Sequence, residues 1–407
     1  MTEKLSNLIH DKNCFKRETL ETRMQLVGVK NIARMELFLW DLEIFLQLQK
    51  ILGEKLVLKG GAAVQFYLPV HEQRTSVDID MLFHGSFDEI QKALSSVEAK
   101  FPHDNDLFIF RQHKPERPKT KLPLYTYYMQ VPSVCTQREI RDSDKGQQRI
   151  KIEFIICNDR FPITQVLGNN VFAMESQAFY QILPIDHLIA DKLTTLGPNT
   201  IGIQDERMDE QVKQLYDINS LLSYHYQSIN LDVIRQQYHM RAHAEANDRG
   251  ISFDLSEIKS DTMTQLQRLR NLDDGSMKSK QYWQYILNFI SLYASRSAIR
   301  TSVEWVLTGE KLRLFMMILY ETNGDLTKFM QAQGIDRRLQ FDNLSGVEKG
   351  RQIASFREEF ILKYGHLTGM DTKILKGKRI NRIYWAAVNL DNLDEIDNFV
   401  NNSINPS

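Results

Sequence analysis

The pair Gly60-Gly61, set between a short apolar run and a helical one, constrains this chain more than any other stretch. Lys55 to Leu58 reads as a strand, and Ala62 to Tyr67 reads as a helix stopped by Pro69. The order strand, glycine turn, helix can aim backbone N–H groups at an anion. Shortly after comes Arg74-Thr-Ser-Val-Asp78-Ile-Asp80-Met-Leu. If Thr75 to Phe83 is extended, Ser76, Asp78 and Asp80 share one face, and Val77, Ile79, Met81 and Phe83 share the other. Two aspartates on one face repel unless a cation neutralises them or a proton is retained.

Hard oxygen ligands beside a phosphate cradle point to magnesium and a nucleoside triphosphate. A Rossmann or P-loop fingerprint needs more glycines or a Gly-Lys-Ser/Thr ending, and this chain has neither. Ile32 to Leu52 has helical spacing and ends at Gly53, so it leads into the first strand. Phe87 to Lys100 reads as another helix. Arg149 to Ile156 alternates strictly, with Arg149, Lys151 and Glu153 on one face and Ile150, Ile152 and Phe154 on the other. Glu153 is thus a third available carboxylate, although an exposed strand residue is the alternative.

Pro184 to Leu196 gives a helix whose apolar face includes Ile185, Leu188, Ile189 and Leu193, and Lys192 falls on that same face. Such a lysine must snorkel to the rim or find an anionic partner, because burying its charge alone is costly. Asp209 to Leu222 is the next helix. Lys213 and Asp217 stand there at i and i+4, which reads as a surface pair, and the helical wheel turns Asp217 away from Val212, Leu215, Ile218 and Leu222.

The 407 residues carry 51 basic and 52 acidic side chains, a balance that argues against a tail-driven nucleic-acid binder. Local charge decides instead. Arg111 to Lys121 is a basic loop with Arg111, Lys114, Arg117, Lys119 and Lys121. Lys373 to Trp385 joins basic residues to Tyr384 and Trp385. Either can grip phosphates, or be a solvated loop and an amphipathic helix with Ile383 and Trp385 in the core. Three widely spaced cysteines suit a reducing compartment, and no window reaches the roughly 20 apolar residues of a membrane span, so a cytoplasmic protein is expected. His239 and His243 have the spacing of a helical zinc pair but lack the glutamate and third ligand such a site needs.

From about Ser223 the pattern is helical, broken near Arg249-Gly250, Asp274-Gly275, Asn323-Gly324 and Gly365. Two domains follow: residues 1–222 and an all-helical 223–407.

Leu58-Lys59-Gly60-Gly61, Ser76-Val-Asp78-Ile-Asp80, the strand with Glu153, and Ala190-Asp-Lys192-Leu followed by Tyr216-Asp217 resemble the AbiEii/AbiGii toxin nucleotidyltransferases of the DNA polymerase β-like superfamily. The resemblance covers about Lys55 to Leu222. It implies an α+β fold, a polymerase β-like domain with a small mixed sheet flanked by helices, followed by the helical domain. It implies that Asp78, Asp80, Glu153, Lys192 and Asp217 are catalytic. Asp78, Asp80 and Glu153 would hold magnesium, with two ions expected, and Lys59, Gly60, Gly61, Ser76 and Lys192 would hold the triphosphate. The family usually follows the glycines with threonine or serine; here Ala62 stands, and a hydroxyl contact is lost. The implied activity is transfer of a nucleoside monophosphate from an NTP to an acceptor hydroxyl, foremost an RNA such as the tRNA 3′ end. The implied setting is a toxin–antitoxin or phage-defence system with a cognate antitoxin encoded nearby. The alternatives are a protein or small-molecule acceptor, or a non-catalytic nucleotide- or RNA-binding scaffold.

Overall fold

Two helices, Arg17–Val27 (α1) and Ile32–Leu52 (α2), open the computed structural model, which describes residues 6–114, 123–143, 148–172, 176–298, 300–341 and 346–404. Every residue of α2 from Ile32 to Leu48 is buried, Arg34, Glu36, Asp41 and Glu43 included. Its apolar side chains explain why it becomes the spine of the fold: burying each Leu, Ile or Phe contributes about 1.5–3 kcal/mol. Glu36 and Glu43 are tolerated there because they are bonded. Glu36 accepts from Ser133 Oγ at 2.6 Å, Val134 N–H at 2.8 Å and Gln148 Nε2 at 2.6 Å. Glu43 accepts from Ile9 N–H at 2.9 Å and Gln47 Nε2 at 2.7 Å and pairs with His10 Nδ1 at 2.5 Å.

Leu56–Lys59 (β1) runs directly into Gly60–Gln65 (α3), so the glycines lie in the first turn of the helix and do not form a separate turn. Asp78–Phe83 (β2) is shorter than the predicted Thr75 to Phe83, since the residues before Asp78 serve another purpose described below. Then come Phe87–Glu98 (α4), Arg111–His113 (β3), Leu124–Gln130 (β4), Gln137–Arg141 (α5), Arg149–Ile156 (β5), Thr164–Leu167 (β6), Phe179–Ile182 (β7) and Ile185–Leu193 (α6). Of the predicted basic loop, Arg111–His113 is strand, and Arg117, Lys119 and Lys121 lie outside the described residues.

The strands form one mixed sheet in the order β3-β4-β5-β2-β1-β7-β6. β1 is antiparallel to β2 and parallel to β7, while β2 is parallel to β5. Parallel pairing sets Asp80 beside Glu153 and Asp78 beside Lys151. The alternation predicted for β5 holds: Ile150, Ile152 and Phe154 are buried, and Arg149, Lys151 and Glu153 are half-buried on the other side. Ile79, Met81 and Phe83 are buried, and α2 packs against both β2 and β5.

The rest of the chain is helical. Met208–His225 (α7), Leu231–Arg249 (α8), Leu255–Arg270 (α9), Met277–Leu292 (α10) and Ser302–Tyr320 (α11) precede five further helices between Leu326 and Ile404. α7 runs through residues 222 and 223. α8 packs on α6, and α10 and α11 pack on α7. The expected breaks at Gly250 and Gly365 fall at helix ends. The run from Lys373 splits into Thr372–Lys376 and Ile380–Ala387, with Ile383 and Trp385 in the core. Arg382 is buried against Glu310 at 3.1 Å, and Lys378 pairs with Asp273 at 2.7 Å, so these two cations are internal supports; Lys373, Lys376 and Arg379 are exposed. Among the described residues no helix is long and apolar enough to cross a membrane.

The helical half also reaches back to the sheet. Thr75 N–H donates to Tyr293 C=O at 3.0 Å, Arg74 forms a β-bridge with Ala294, and Arg296 N–H donates to Gly28 C=O at 3.0 Å. This strap occupies the stretch before β2 that the sequence assigned to the strand.

Candidate active site

Gly60 has φ +70°, and a Cβ built there would lie 2.1 Å from Asp80 Oδ2, an impossible approach for any side chain. At Gly61 a Cβ would come within 2.7 Å of Arg74 Nη2 and 3.2 Å of Ser76 Oγ. The glycines therefore let the aspartate strand and its preceding arginine press against the backbone at the end of β1. Ala62, next in α3, is buried.

Lys59 lies opposite Asp80 in the antiparallel register, and its Nζ reaches Asp191 Oδ1 at 3.0 Å. Arg241, from α8, donates to the same oxygen from Nη1 at 2.8 Å. Burial alone would raise the Asp191 pKa, but Lys59 and Arg241 overcome it and hold this carboxyl down at about 2. Arg241 Nε and Nη2 are buried with no hydrogen-bond partner among the described residues.

Asp80 behaves in the opposite way. Burial, then the charges of Glu153 and Asp78, push its pKa up to about 7 against the pull of Lys59 and Lys151. Glu153 accepts from Lys151 Nζ at 2.6 Å and Thr126 Oγ1 at 3.0 Å. Like charges thus gather here. The donor set suits a hard divalent cation: carboxylates only, two on one strand and one beside them on the next. Among the described residues no three His, Cys, Asp or Glu side chains converge on one point suited to a metal ion, and Glu153 is engaged with Lys151 and Thr126.

Asp217 corrects the helical wheel. Its carboxylate is fully buried and receives both Arg74 Nε and Nη2 at 2.7 Å, a bidentate pair, with Lys192 Nζ at 3.0 Å. Lys192 also donates to Gln214 at 2.6 Å. Burial would raise the Asp217 pKa; Arg74 and then Lys192 keep it below the ordinary carboxylate range. The expected Lys213–Asp217 surface pair does not form either: Lys213 is buried and pairs with Glu210 at 2.8 Å. Its Nζ stands 4.2 Å from the centre of the Tyr293 ring, and Arg34 Cζ also lies 4.2 Å from that centre.

The structure brings together Lys59, Gly60, Gly61, Asp78, Asp80 and Glu153 at the carboxylate centre, with Ser76, Lys192 and Asp217 joined to them through Arg74 and Gly61. Sequence reasoning missed Arg74, which lies four residues before Asp78 with no periodicity to mark it, and Arg241, whose signal would be a basic residue facing α6. A cleft of about 790 Å³ beside α1 contains none of these side chains, and Arg17 in its wall pairs with Glu21 and Glu139.

A β1–glycine–α3 unit packed against the paired aspartates of β2 and a basic network is suited chemically to phosphate groups. The chain belongs to the AbiEii nucleotidyl transferase toxin family of type IV toxin–antitoxin systems, which it matches over residues 45–307. It is a nucleotidyltransferase. The match extends past the segment expected from motifs and takes in Arg241 and the strap at 293–296. Among solved structures, JHP933 from Helicobacter pylori is similar at 14% identity, covering 75% of this chain and 100% of that one with a TM-score of 0.39. MenT4, a nucleotidyltransferase toxin from Mycobacterium tuberculosis H37Rv, is similar at 12% identity, covering 75% and 99% with a TM-score of 0.39. No curated protein matches the chain.

Proposed function

We propose that this nucleotidyltransferase moves a nucleoside monophosphate from an NTP to an acceptor hydroxyl on RNA, foremost the tRNA 3′ end, with release of pyrophosphate. The observation that carries the reading is the gathering of Asp78, Asp80 and Glu153 on neighbouring strands, with Asp80 pressed against the Gly60 backbone. Asp78, Asp80 and Glu153 would hold magnesium, two ions at full occupancy. When bound, the metal screens the triphosphate and lowers the pKa of the attacking hydroxyl.

The protein's own groups position and neutralise. Gly60 and Gly61 let Asp80, Arg74 and Ser76 close on the backbone at the start of α3, where the triphosphate would be held. Lys192 faces the charge growing on the departing pyrophosphate, and Lys59 and Arg241 offer further cationic donors around Asp191. Asp217, with both oxygens taken by Arg74 and Lys192, is best assigned to holding those cations in place, and the hydroxyl proton then passes to the carboxylate centre. Ser76 packs beside Gly61 as part of the same wall.

In the cell we assign the protein to the cytoplasm as a toxin restrained by an antitoxin encoded nearby. Residues 1–222 and 223–407 are proposed as two domains that fold together. The test of function is incubation of the pure protein with labelled nucleotides, magnesium and total tRNA. Label on RNA is expected and should vanish in Asp80→Asn; no label on RNA with all four nucleotides would sink the reading, and label on lysate protein would redirect it.

A further inference from the structure

The open face of the sheet continues outward from the aspartates in a pattern that the nucleotide site does not use. Directly paired residues of neighbouring strands put their side chains on the same side. Two rows therefore cross β2, β5, β4 and β3: Asp78, Lys151, Tyr128, Arg111, and Asp80, Glu153, Thr126, His113. Arg149, opposite Gln130 in the adjoining row, lies with its Cζ 4.1 Å from the centre of the Tyr128 ring. His113 meets the same ring edge-on at 5.8 Å. Arg111 is exposed at the sheet edge, 3.0 Å from Asp106. Beyond Glu153, the described strand residues of this face include no carboxylate.

A solvated face is ordinary for antiparallel strands, so polarity alone identifies nothing. Here the polar face carries cations of one sign around an aromatic ring, and it begins one strand away from the catalytic aspartates. With strands about 4.8 Å apart, Tyr128 stands roughly 10 Å from Asp78 across the sheet. Unpaired bases stack on aromatic rings and guanidinium planes, while cations track the phosphates. Past these rows the face ends in Leu82, Ile155 and the exposed Leu124; a small molecule would leave the outer strands unused.

We propose that this face holds the single-stranded 3′ end of the RNA acceptor, an unpaired base resting on Tyr128 and Arg149 and Arg111 gripping the phosphate at the sheet edge. The inference rests on the RNA reading given above, and binding can be measured without turnover. The probe is a 12-nucleotide single-stranded oligoribonucleotide with a free 3′ hydroxyl and a 5′ fluorophore, alongside the DNA of the same sequence, titrated against the full-length protein. Tyr128→Ala and Arg149→Gln should each weaken RNA binding roughly tenfold, the scale of one lost base stack. Tyr128→Phe should restore it, and Arg111→Gln should flatten the salt dependence by about one unit of slope. NTP binding should stay unchanged in all of them. RNA binding by Tyr128→Ala and Arg149→Gln equal to wild type overturns the inference, as does equal binding of the DNA. Failure of the wild type to label any RNA overturns the function instead, and the two results are read independently.

Discussion

At the scale of single residues, Gly60 is decisive because both its φ and its neighbour exclude a side chain. Gly60→Ala should cut nucleotide transfer at least a hundredfold by displacing Asp80, while circular dichroism still reports a folded protein; retained transfer would mean that Asp80 does not depend on this contact. Asp80 itself sits among like charges. Removing one should relieve repulsion even as it removes function, so Asp80→Asn is expected to raise the metal-free Tm by about 1 °C, the scale of ~1 kcal/mol in a chain of 407 residues, with transfer abolished. Asp191 titrates in the opposite sense. Its folded pKa of about 2 lies below the ordinary aspartate value of about 3.9, so its contribution is fully present above about pH 4 and is lost as pH falls through 2. That contribution is on the order of 2 kcal/mol. Urea unfolding at pH 7, 4 and 2.5 should show Asp191→Asn and wild type converging at the lowest pH, and a constant gap would refute the assignment.

At the scale of elements, some of the fold was readable from periodicity and some was not. α2 and β5 were legible because each presents an unmixed pattern: α2 is apolar enough to be buried from Ile32 to Leu48, and β5 alternates with one wet face. Lys192 was legible as a misfit on an apolar face, and its anionic partner proved to be Asp217. Asp217 was misread because a helical wheel assumes one buried side, whereas α7 is packed against α3, α6, α10 and α11. Its polar side is thus buried too, and charge pairing across elements replaced exposure. No local pattern announces Arg74, since its role depends on a helix more than a hundred residues away. The pairing has a measurable weight. Asp217→Asn leaves Arg74 and Lys192 buried with too little counter-charge and should cost roughly 3–5 kcal/mol in urea unfolding. Arg74→Met together with Asp217→Leu should cost clearly less than the sum of the singles; simple additivity would show that the pair is not coupled.

At the scale of the whole molecule, the two halves share surfaces that neither can leave uncovered. Leu188, Ile189, Val212 and Leu215 of α6 and α7 are fully buried, and helices of the later half pack on both elements. A fragment ending at residue 225 should therefore be insoluble or bind a hydrophobic dye strongly, and a soluble fragment with native-like near-UV dichroism would contradict this. The same dependence reaches the chemistry through the strap, where Tyr293 and Ala294 fasten Thr75 and Arg74 just ahead of the aspartate strand. During synthesis the aspartates, glycines and Lys192 all emerge well before residue 296 does. In a protein built this way the backing of the aspartate strand is completed only once residue 296 has been made, when the late segment threads back onto the early one.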